Sequence, residues 1–275
     1  MHKIHDGKIT NKKLIWQDKP VLSYIEYEVT RKCNLRCKGC SHFVCIDENS
    51  NQVPLIEDYR RDLECLSRKY SNISTIRLLG GEPFLADNLE EYLLVSRKIF
   101  PGSNVRIATN GLLLKTISNN LLRVIFDTNA YLDITLYPQF NGKKNEIIEW
   151  VQKNELNYSF DETFLFYKYL SNRNNKMGDK IYQDCDMRHC HYLSDGKLSR
   201  CPLPLIIYRL NDKFGTNYPV DDYLDIYRDD LSAWEINKFL SISSKLCNYC
   251  LEKPEQYTCK QIKNPSDTSL NNWVK

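Results

Sequence analysis

Val21-Leu-Ser-Tyr-Ile-Glu-Tyr-Glu-Val-Thr30-Arg-Lys-Cys33-Asn-Leu-Arg-Cys37-Lys-Gly-Cys40 joins a strand-like run to a loop that carries three cysteines. In the run, Ile25, Tyr27 and Val29 alternate with Glu26, Glu28 and Thr30, the period of two that sends successive side chains to opposite faces of a β-strand. The loop has the spacing C-x3-C-x2-C. Three thiolates are one fewer than a closed tetrahedral metal site uses. A 4Fe-4S cluster held by three cysteines keeps one iron without a protein ligand, and an open coordination position is what distinguishes a metal that does chemistry from one that only holds a fold.

Downstream, the hydrophobic pattern switches repeatedly between the helical and the strand period. Residues 55–70 read as a helix with apolar positions at Leu55, Ile56, Tyr59, Leu63 and Leu66, and 74–79 as a strand that runs into Gly80-Gly-Glu-Pro-Phe84. Helices over 88–100, 118–126 and 143–153 alternate with strands over 104–109, 131–137 and 158–166, and Pro101-Gly102 stops the first of these helices. Alternating β and α units predict an α/β fold with a parallel sheet and helices outside it. Right-handed crossovers then curl the sheet toward a complete or partial barrel.

Strands covered on both faces are normally apolar throughout, and these are not. Glu26, Glu28 and Thr30 share one face, and Arg77, Arg106 and Asp133 interrupt the later strands. Facing a barrel lumen, they predict a polar interior suited to a small, oxygen-rich substrate. The alternative is that they pair with one another structurally. Glu28, two residues before the cysteine loop begins, is the leading catalytic candidate among them.

At 275 residues the chain has the length for one large or two moderate domains. Its 38 basic and 35 acidic side chains leave a net charge of +3, which gives no electrostatic footprint for nucleic acid. No apolar run approaches the roughly 18 residues that would span a bilayer, and Met1-His-Lys-Ile-His-Asp6 has no signal-peptide core. Reduced thiols, a cytoplasmic setting and no membrane partner follow. The odd total of eleven cysteines also fits poorly with complete disulfide pairing. The eighteen tyrosines are scattered and read as half-buried packing residues with a polar tip.

The cysteine triplet after a first strand, with Gly80-Gly81-Glu82-Pro83 after a second, resembles the radical S-adenosylmethionine (radical SAM) superfamily. The resemblance implies a partial (β/α)6 TIM-like barrel, a 4Fe-4S cluster on Cys33, Cys37 and Cys40, and SAM chelated to the open iron. Reductive cleavage of SAM would give methionine and a 5'-deoxyadenosyl radical that abstracts a hydrogen atom, with flavodoxin or ferredoxin as the reducing partner. Carried over by position, Gly80 and Gly81 would admit the methionine end of SAM, Glu82 would lie near its amino group, and Thr109, Asn110 and Thr135 would contact ribose or carboxylate. Thr109-Asn110-Gly111 reads equally as an ordinary strand-to-helix turn. Gly39 stands where the family usually has an aromatic residue, which leaves Phe43 to pack near adenine. His42 reads equally as a loop residue, a donor to neighbouring ligands or a catalyst.

A second cysteine-rich region runs Cys185-Asp-Met-Arg-His-Cys190-His-Tyr-Leu-Ser-Asp-Gly196-Lys-Leu-Ser-Arg-Cys201 and closes later with Cys247-Asn-Tyr-Cys250. Ser194-Asp-Gly-Lys197 has hairpin turn chemistry. The pattern C-x10-G-x4-C followed by C-x2-C resembles the SPASM/Twitch extension of radical SAM enzymes. In its shorter Twitch form this implies one auxiliary 4Fe-4S cluster on Cys185, Cys201, Cys247 and Cys250, with Cys190 and Cys259 as rival ligands. Four thiolates also suit a structural zinc. Cys65 falls within a helix and reads as a buried small hydrophobe, and Cys45 is unassigned.

The expected organisation is an N-terminal segment over 1–20, a radical SAM partial barrel over 21–175, a small cysteine-rich Twitch-type extension with a β-hairpin over 176–260, and a flexible tail over 261–275. An auxiliary cluster gives an electron a destination. Hydrogen loss from a carbon bearing a hydroxyl, then loss of the hydroxyl proton and one electron, leaves a carbonyl. The layout resembles both the Twitch-containing aminocyclitol dehydrogenase and uncharacterised radical SAM proteins of polysaccharide loci, which implies a sugar, nucleotide sugar or aminocyclitol as a small polar substrate, dehydrogenated or epimerised. Epimerisation would need a hydrogen donor, for which Cys190, Cys259 and Cys45 are the candidates. The rival enzymatic reading is peptide modification, disfavoured by the roughly twenty residues before the first strand, too few for an independently folded recognition domain. The rival of another class is a non-catalytic iron-sulfur or zinc-binding interaction protein.

Overall fold

In the computed structural model, which describes residues 7–10, 13–16, 19–48, 54–162 and 165–275, a short hairpin, β1 (Gly7–Thr10) and β2 (Lys13–Trp16), precedes β3 (Val21–Thr30). The stretch Met1-His-Lys-Ile-His-Asp6 lies outside the described residues. Helix and strand then alternate as the sequence predicts. The order is α1 (Ile56–Ser67), β4 (Asn72–Gly80), α2 (Leu89–Ile99), β5 (Asn104–Thr109), α3 (Asn119–Asp127), β6 (Tyr131–Leu136), α4 (Lys144–Lys153) and β7 (Asn157–Glu162). Local chemistry sets the helix ends. Ser118 accepts the Leu121 N–H at 3.0 Å as an N-cap, and α2 carries Glu90 and Glu91 in its first turn and Arg97 and Lys98 in its last, matching the helix dipole.

The single strand expected over 158–166 is corrected. β7 stops at Glu162, and a separate strand, β8 (Leu165–Leu170), leaves the main sheet. Next come α5 (Gly178–Asp184), β9 (Tyr192–Ser194), β10 (Lys197–Ser199), α6 (Leu203–Ile206), α7 (Tyr208–Phe214), β11 (Leu224–Asp225), α8 (Ala233–Leu240) and β12 (Cys250–Thr258), the last pairing antiparallel with β8. β8 interleaves Tyr167, Lys168 and Tyr169 with Leu165, Phe166 and Leu170, and β12 is mostly polar, so their pairing is not visible as a periodic apolar signal.

The main sheet has the order β11-β10-β9-β3-β4-β5-β6-β7. β3 to β7 are parallel and in chain order, and β9 adds to the free side of β3 as a sixth parallel strand. Among the described residues, β11 and β7 at the two ends are not paired with each other. The barrel is therefore partial, and one of its six parallel strands comes from the cysteine-rich extension. The hairpin predicted around Gly196 forms, with φ of 46° at Asp195 and 73° at Gly196, the positive pair that a two-residue turn needs. Among the described residues, no helix is long and apolar enough to cross a membrane.

Apolar faces of the strands and helices meet in one large core, in which Tyr27, Tyr59 and Tyr92 cluster with ring centroids 4.6 Å (Tyr27–Tyr59) and 5.0 Å (Tyr59–Tyr92) apart. Tyr59 shares a 2.5 Å hydrogen bond with Ser96, and Tyr92 donates to the Pro54 carbonyl, so these buried hydroxyls are satisfied. A second core joins Phe43 to Ile206, Ile207, Leu210, Trp273 and Val274. This corrects the flexible tail expected over 261–275. Large apolar side chains sit among its Asn, Ser and Lys residues, and they anchor the tail although its average composition is polar.

The hairpin is tied to α1 by Asp62, whose Oδ1 accepts from the Gly196 N–H at 2.8 Å and from the Tyr227 hydroxyl. Burial pushes this carboxyl up to about 7, against the opposing pull of those hydrogen bonds. The raised value means that the neutral form fits the fold. The stabilisation is complete below the ordinary aspartate range and is lost as pH rises through about 7. Asp62→Asn, which cannot ionise, is expected to gain on the wild type by about 2–4 kcal/mol between pH 4 and pH 8. Urea denaturation curves that stay equally spaced across that range would exclude the assignment.

Candidate functional site

At the C-terminal ends of β3 to β6, Cys33, Cys37 and Cys40 line one cavity together with Gly80, Gly81, Glu82, Thr109, Asn110 and Thr135. This is the end of a βα sheet where loops from successive strands converge. Hydrogen bonds dock the segment after β4 on the cysteine loop: the Gly81 N–H donates to the Thr30 carbonyl at 2.9 Å and the Glu82 N–H to the Lys32 carbonyl at 2.8 Å. A Cβ on Gly80 would lie 2.1 Å from the Thr30 oxygen, and one on Gly81 would lie 2.0 Å from the Lys32 oxygen. Besides lining the cavity, these glycines permit the approach of one backbone to another, which sets the cysteine loop's height.

Glu82 is buried and acts as a brace. Its Oε1 accepts from the Thr109 hydroxyl at 2.6 Å and its Oε2 from the Asn110 N–H at 2.9 Å, while burial pushes the carboxyl up to about 7 against those bonds. Asn110 in turn donates through Nδ2 to Asn34 in the cysteine loop at 2.7 Å. Thr109-Asn110-Gly111 is thus bound to both neighbouring loops, which an ordinary turn would not require.

Gly39 has φ of 70°, and a Cβ there would lie 1.7 Å from the Tyr257 hydroxyl and 2.7 Å from the Asn272 carbonyl. The place where the resemblance expects an aromatic side chain is filled from β12 and the C-terminal segment. Phe43, expected beside adenine, is buried against the second core and faces the other cysteine cavity. That is a correction, and its cause is the left-handed turn at Phe43, where φ is 57°.

Cys185, Cys201, Cys247 and Cys250 line that other cavity. They arrive from four places: the end of α5, the end of β10, a turn capped by Ser244, and the first residue of β12. Burial raises the Cys201 and Cys250 thiols, and the nearby Cys247 and Cys185 raise them further. Among the described residues, no three His, Cys, Asp or Glu side chains converge tightly enough to hold a single metal ion. The sets fit a larger group, since each surrounds a cavity.

Neither rival ligand lines this second cavity, although Cys190 is near enough to Cys185 and Cys201 to interact with their thiols. The Cys190 thiol is pushed up to about 12 by burial and, next, by the Glu26 carboxylate, which puts it beside the barrel lumen. Cys259 is buried against Cys37, with which it shares a hydrogen bond. Cys45 lines the first cavity and donates to the Cys37 carbonyl at 3.4 Å. Cys65 is buried in α1 and donates to the Ile226 carbonyl, as its helical position suggests.

The lumen is charged but largely self-paired. Glu26, Arg77 and Arg106 are lateral neighbours across β3, β4 and β5, and Asp133 of β6 accepts from Arg106 Nε at 2.9 Å while facing Arg77 Nε at 3.2 Å. Asp133 is lowered despite its burial, because both guanidiniums favour its charge. Glu28 is also committed. Arg209 of α7 donates to its Oε2 at 2.9 Å and its Oε1 at 2.6 Å, and Arg31 adds a 3.0 Å bond to Oε1. The expected catalytic role of Glu28 is corrected to a structural one, since both oxygens are taken and its carboxyl is held low by Arg209 in spite of burial.

Arg209 is the residue that reading the sequence missed. Besides Glu28 it binds Asp47 at 3.1 Å and the His42 carbonyl at 2.9 Å, so one side chain 1% exposed holds the acids before and after the cysteine loop and the loop itself. Nothing near Arg209 in the sequence signals this, because Glu28, Asp47 and His42 are more than 160 positions away.

Gly39, Ser41, His42, Tyr167 and Tyr169 line both cavities and form a shared wall. Arg77 reaches the first cavity from below.

Residues 27–168, just over half of the chain, match the Radical SAM superfamily. The chain is similar to the 7,8-dihydro-6-hydroxymethylpterin dimethyltransferase of Methanocaldococcus jannaschii, 32% identical over 42% of this chain and 21% of that protein. It is similar to the GTP 3',8-cyclase of Helicobacter pylori, 28% identical over 50% of this chain and 40% of that one. The chain thus spans two fifths or less of the length of these relatives. Among solved structures, histidine-tagged anSMEcpe with bound AdoMet shares the fold at a TM-score of 0.52 and 13% identity, over 84% of this chain and 83% of that one.

Proposed function

We propose, from the premise that this chain belongs to the radical SAM superfamily and so is a radical SAM enzyme with a 4Fe-4S cluster and SAM as cofactors, that it oxidises or epimerises a carbohydrate-type substrate next to an auxiliary 4Fe-4S cluster. The observation that carries the reading is the shared wall of Gly39, Ser41, His42, Tyr167 and Tyr169. A molecule that reacts in the first cavity is then one side chain away from the second, so an electron released on oxidation has a short path out.

When bound, the cluster and SAM supply a 5'-deoxyadenosyl radical that takes a hydrogen atom from a substrate carbon. Everything else falls to the chain's own residues. Cys33, Cys37 and Cys40 would hold the first cluster, and Cys185, Cys201, Cys247 and Cys250 the auxiliary one. Glu82, Thr109 and Asn110 keep the rim of the first cavity rigid through their mutual hydrogen bonds, while Tyr137 and Phe166 add an apolar side that limits water. Arg77 offers the only guanidinium that lines this cavity among the described residues, suited to substrate oxygens. Self-pairing of the lumen charges supports a neutral, hydroxyl-rich substrate over a strongly charged one. Cys190, close to Glu26, is the candidate hydrogen donor for epimerisation. Electrons would come from a small reductant such as flavodoxin or ferredoxin.

The test is anaerobic incubation of the reconstituted, reduced protein with SAM and a panel of nucleotide sugars and aminocyclitols in deuterated solvent. Mass spectrometry is expected to find a product lighter by two hydrogens if the reaction is oxidative, or carrying one solvent deuterium if it is epimerising. Formation of 5'-deoxyadenosine that no member of the panel stimulates, while a peptide does, would replace this reading with peptide modification.

A further inference from the structure

The segment after β12 closes over the cysteine loop and satisfies its backbone almost group by group. The Lys38 N–H donates to the Lys260 carbonyl and the Ile262 N–H to the Arg36 carbonyl, each at 2.7 Å. The Tyr257 hydroxyl meets the Lys38 and Gly39 carbonyls, both at 3.0 Å, and Trp273 Nε1 donates to the Cys40 carbonyl at 2.9 Å. A loop without regular structure needs outside partners for these groups, and this strap provides them.

One contact reaches a sulfur. The Arg36 N–H donates to Gln261 Oε1 at 2.7 Å, and Gln261 Nε2 lies 3.1 Å from Cys37 Sγ. The orientation of this amide is determined by chemistry. A backbone N–H can only donate, so the atom facing Arg36 must be the oxygen, and the NH2 group must face the sulfur. The neighbouring Cys37–Gln261 backbone bridge holds both residues in that relation. We infer that Gln261 is a positioning residue for Cys37 that donates a hydrogen bond to its ligand sulfur and thereby raises the reduction potential of the cluster that cleaves SAM. Donors to ligand sulfurs stabilise the more negative, reduced state of an iron-sulfur cluster. The inference rests on Cys37 being a ligand and is independent of the substrate.

Two variants separate tuning from mere support. Gln261→Glu keeps an oxygen for the Arg36 N–H but presents a second oxygen, without a donor, to Cys37. Gln261→Met removes both bonds at similar volume. In the full chain, reconstituted with iron and sulfide, the cluster is identified by the part of its EPR spectrum that changes on adding SAM, and its midpoint is read by potentiometric titration. Both variants are expected to load iron as the wild type does, and at a fixed potential to show about a tenfold lower ratio of reduced to oxidised cluster, equivalent to about 59 mV for one electron. An unchanged midpoint in Gln261→Glu overturns the inference, and so does loss of iron from both variants, since a residue that tunes a ligand is not needed for loading. Failure of the underlying assignment looks different, because Cys37→Ala would then leave the iron content unchanged.

Discussion

Replacing Cys33, Cys37 or Cys40 with alanine, one at a time, is expected to reduce 5'-deoxyadenosine formation to the level of a protein-free control and to remove roughly half of the iron from the anaerobically reconstituted protein. The three residues differ in burial and in neighbours. Cys37 touches Gln261 and Cys259, whereas Cys33 accepts the Leu35 N–H at 3.4 Å. Their loss has one common effect because a cluster held by three ligands has no spare. Cys65→Ala serves as the control, since that thiol lies in α1, and it is expected to keep both the iron and the activity. Iron analysis and chromatographic detection of 5'-deoxyadenosine decide the matter. If Cys45 or Cys259, both close to Cys37, can substitute for a lost ligand, the corresponding variant will retain its iron, and the triplet is then not the unique site.

Arg209→Met is expected to destabilise the fold by about 3–5 kcal/mol, because it removes the buried guanidinium that pairs with both the Glu28 and Asp47 carboxylates. The geometry explains why the effect is large. Arg209 makes a two-pronged contact with Glu28 and binds Asp47 and the His42 carbonyl besides, so four stabilising interactions depend on one guanidinium. Lysine cannot replace that fork, and Arg209→Lys is expected to recover only part of the loss. Adding Glu28→Gln to Arg209→Met removes one buried charge and is expected to recover stability relative to the single variant. Chemical denaturation of the wild type, Arg209→Met, Glu28→Gln and the double variant measures this coupling. A loss below about 1 kcal/mol would place the pair among weak surface ion pairs and remove Arg209 from its role as the clamp of the cysteine loop.

The βα alternation was legible because an amphipathic helix and a pleated strand impose their periods on the chain locally. α1 through β6 fall within a few residues of the expected bounds. The two cysteine sets were legible for a related reason: metal-ligand spacing is a local property in C-x3-C-x2-C and C-x2-C, and a glycine turn announces the hairpin between Cys190 and Cys201. β8 escaped because its partner β12 lies about 85 residues further on and neither strand alternates cleanly. The tail over 261–275 escaped because Gln261, Trp273 and Val274 act singly, and single residues disappear in an averaged composition. The role given to Glu28 failed because facing a lumen and being free to react there are different properties, and only a distant arginine distinguishes them.

By itself, the sequence determined that three thiolates follow the strand that became β3, that a two-glycine segment follows the strand that became β4, and that four further cysteines stand at hairpin and C-x2-C spacing. Each is a short-range pattern that chain geometry enforces. Tertiary structure alone decided which charges are consumed, which cysteines share a cavity, and what covers the cysteine loop. Pairing Glu28 with Arg209, Gly39 with Tyr257 and Cys37 with Gln261 depends on folding distant segments to within hydrogen-bond distance, and the free energy of such contacts comes from burial and exclusion of water that no local run of residues encodes.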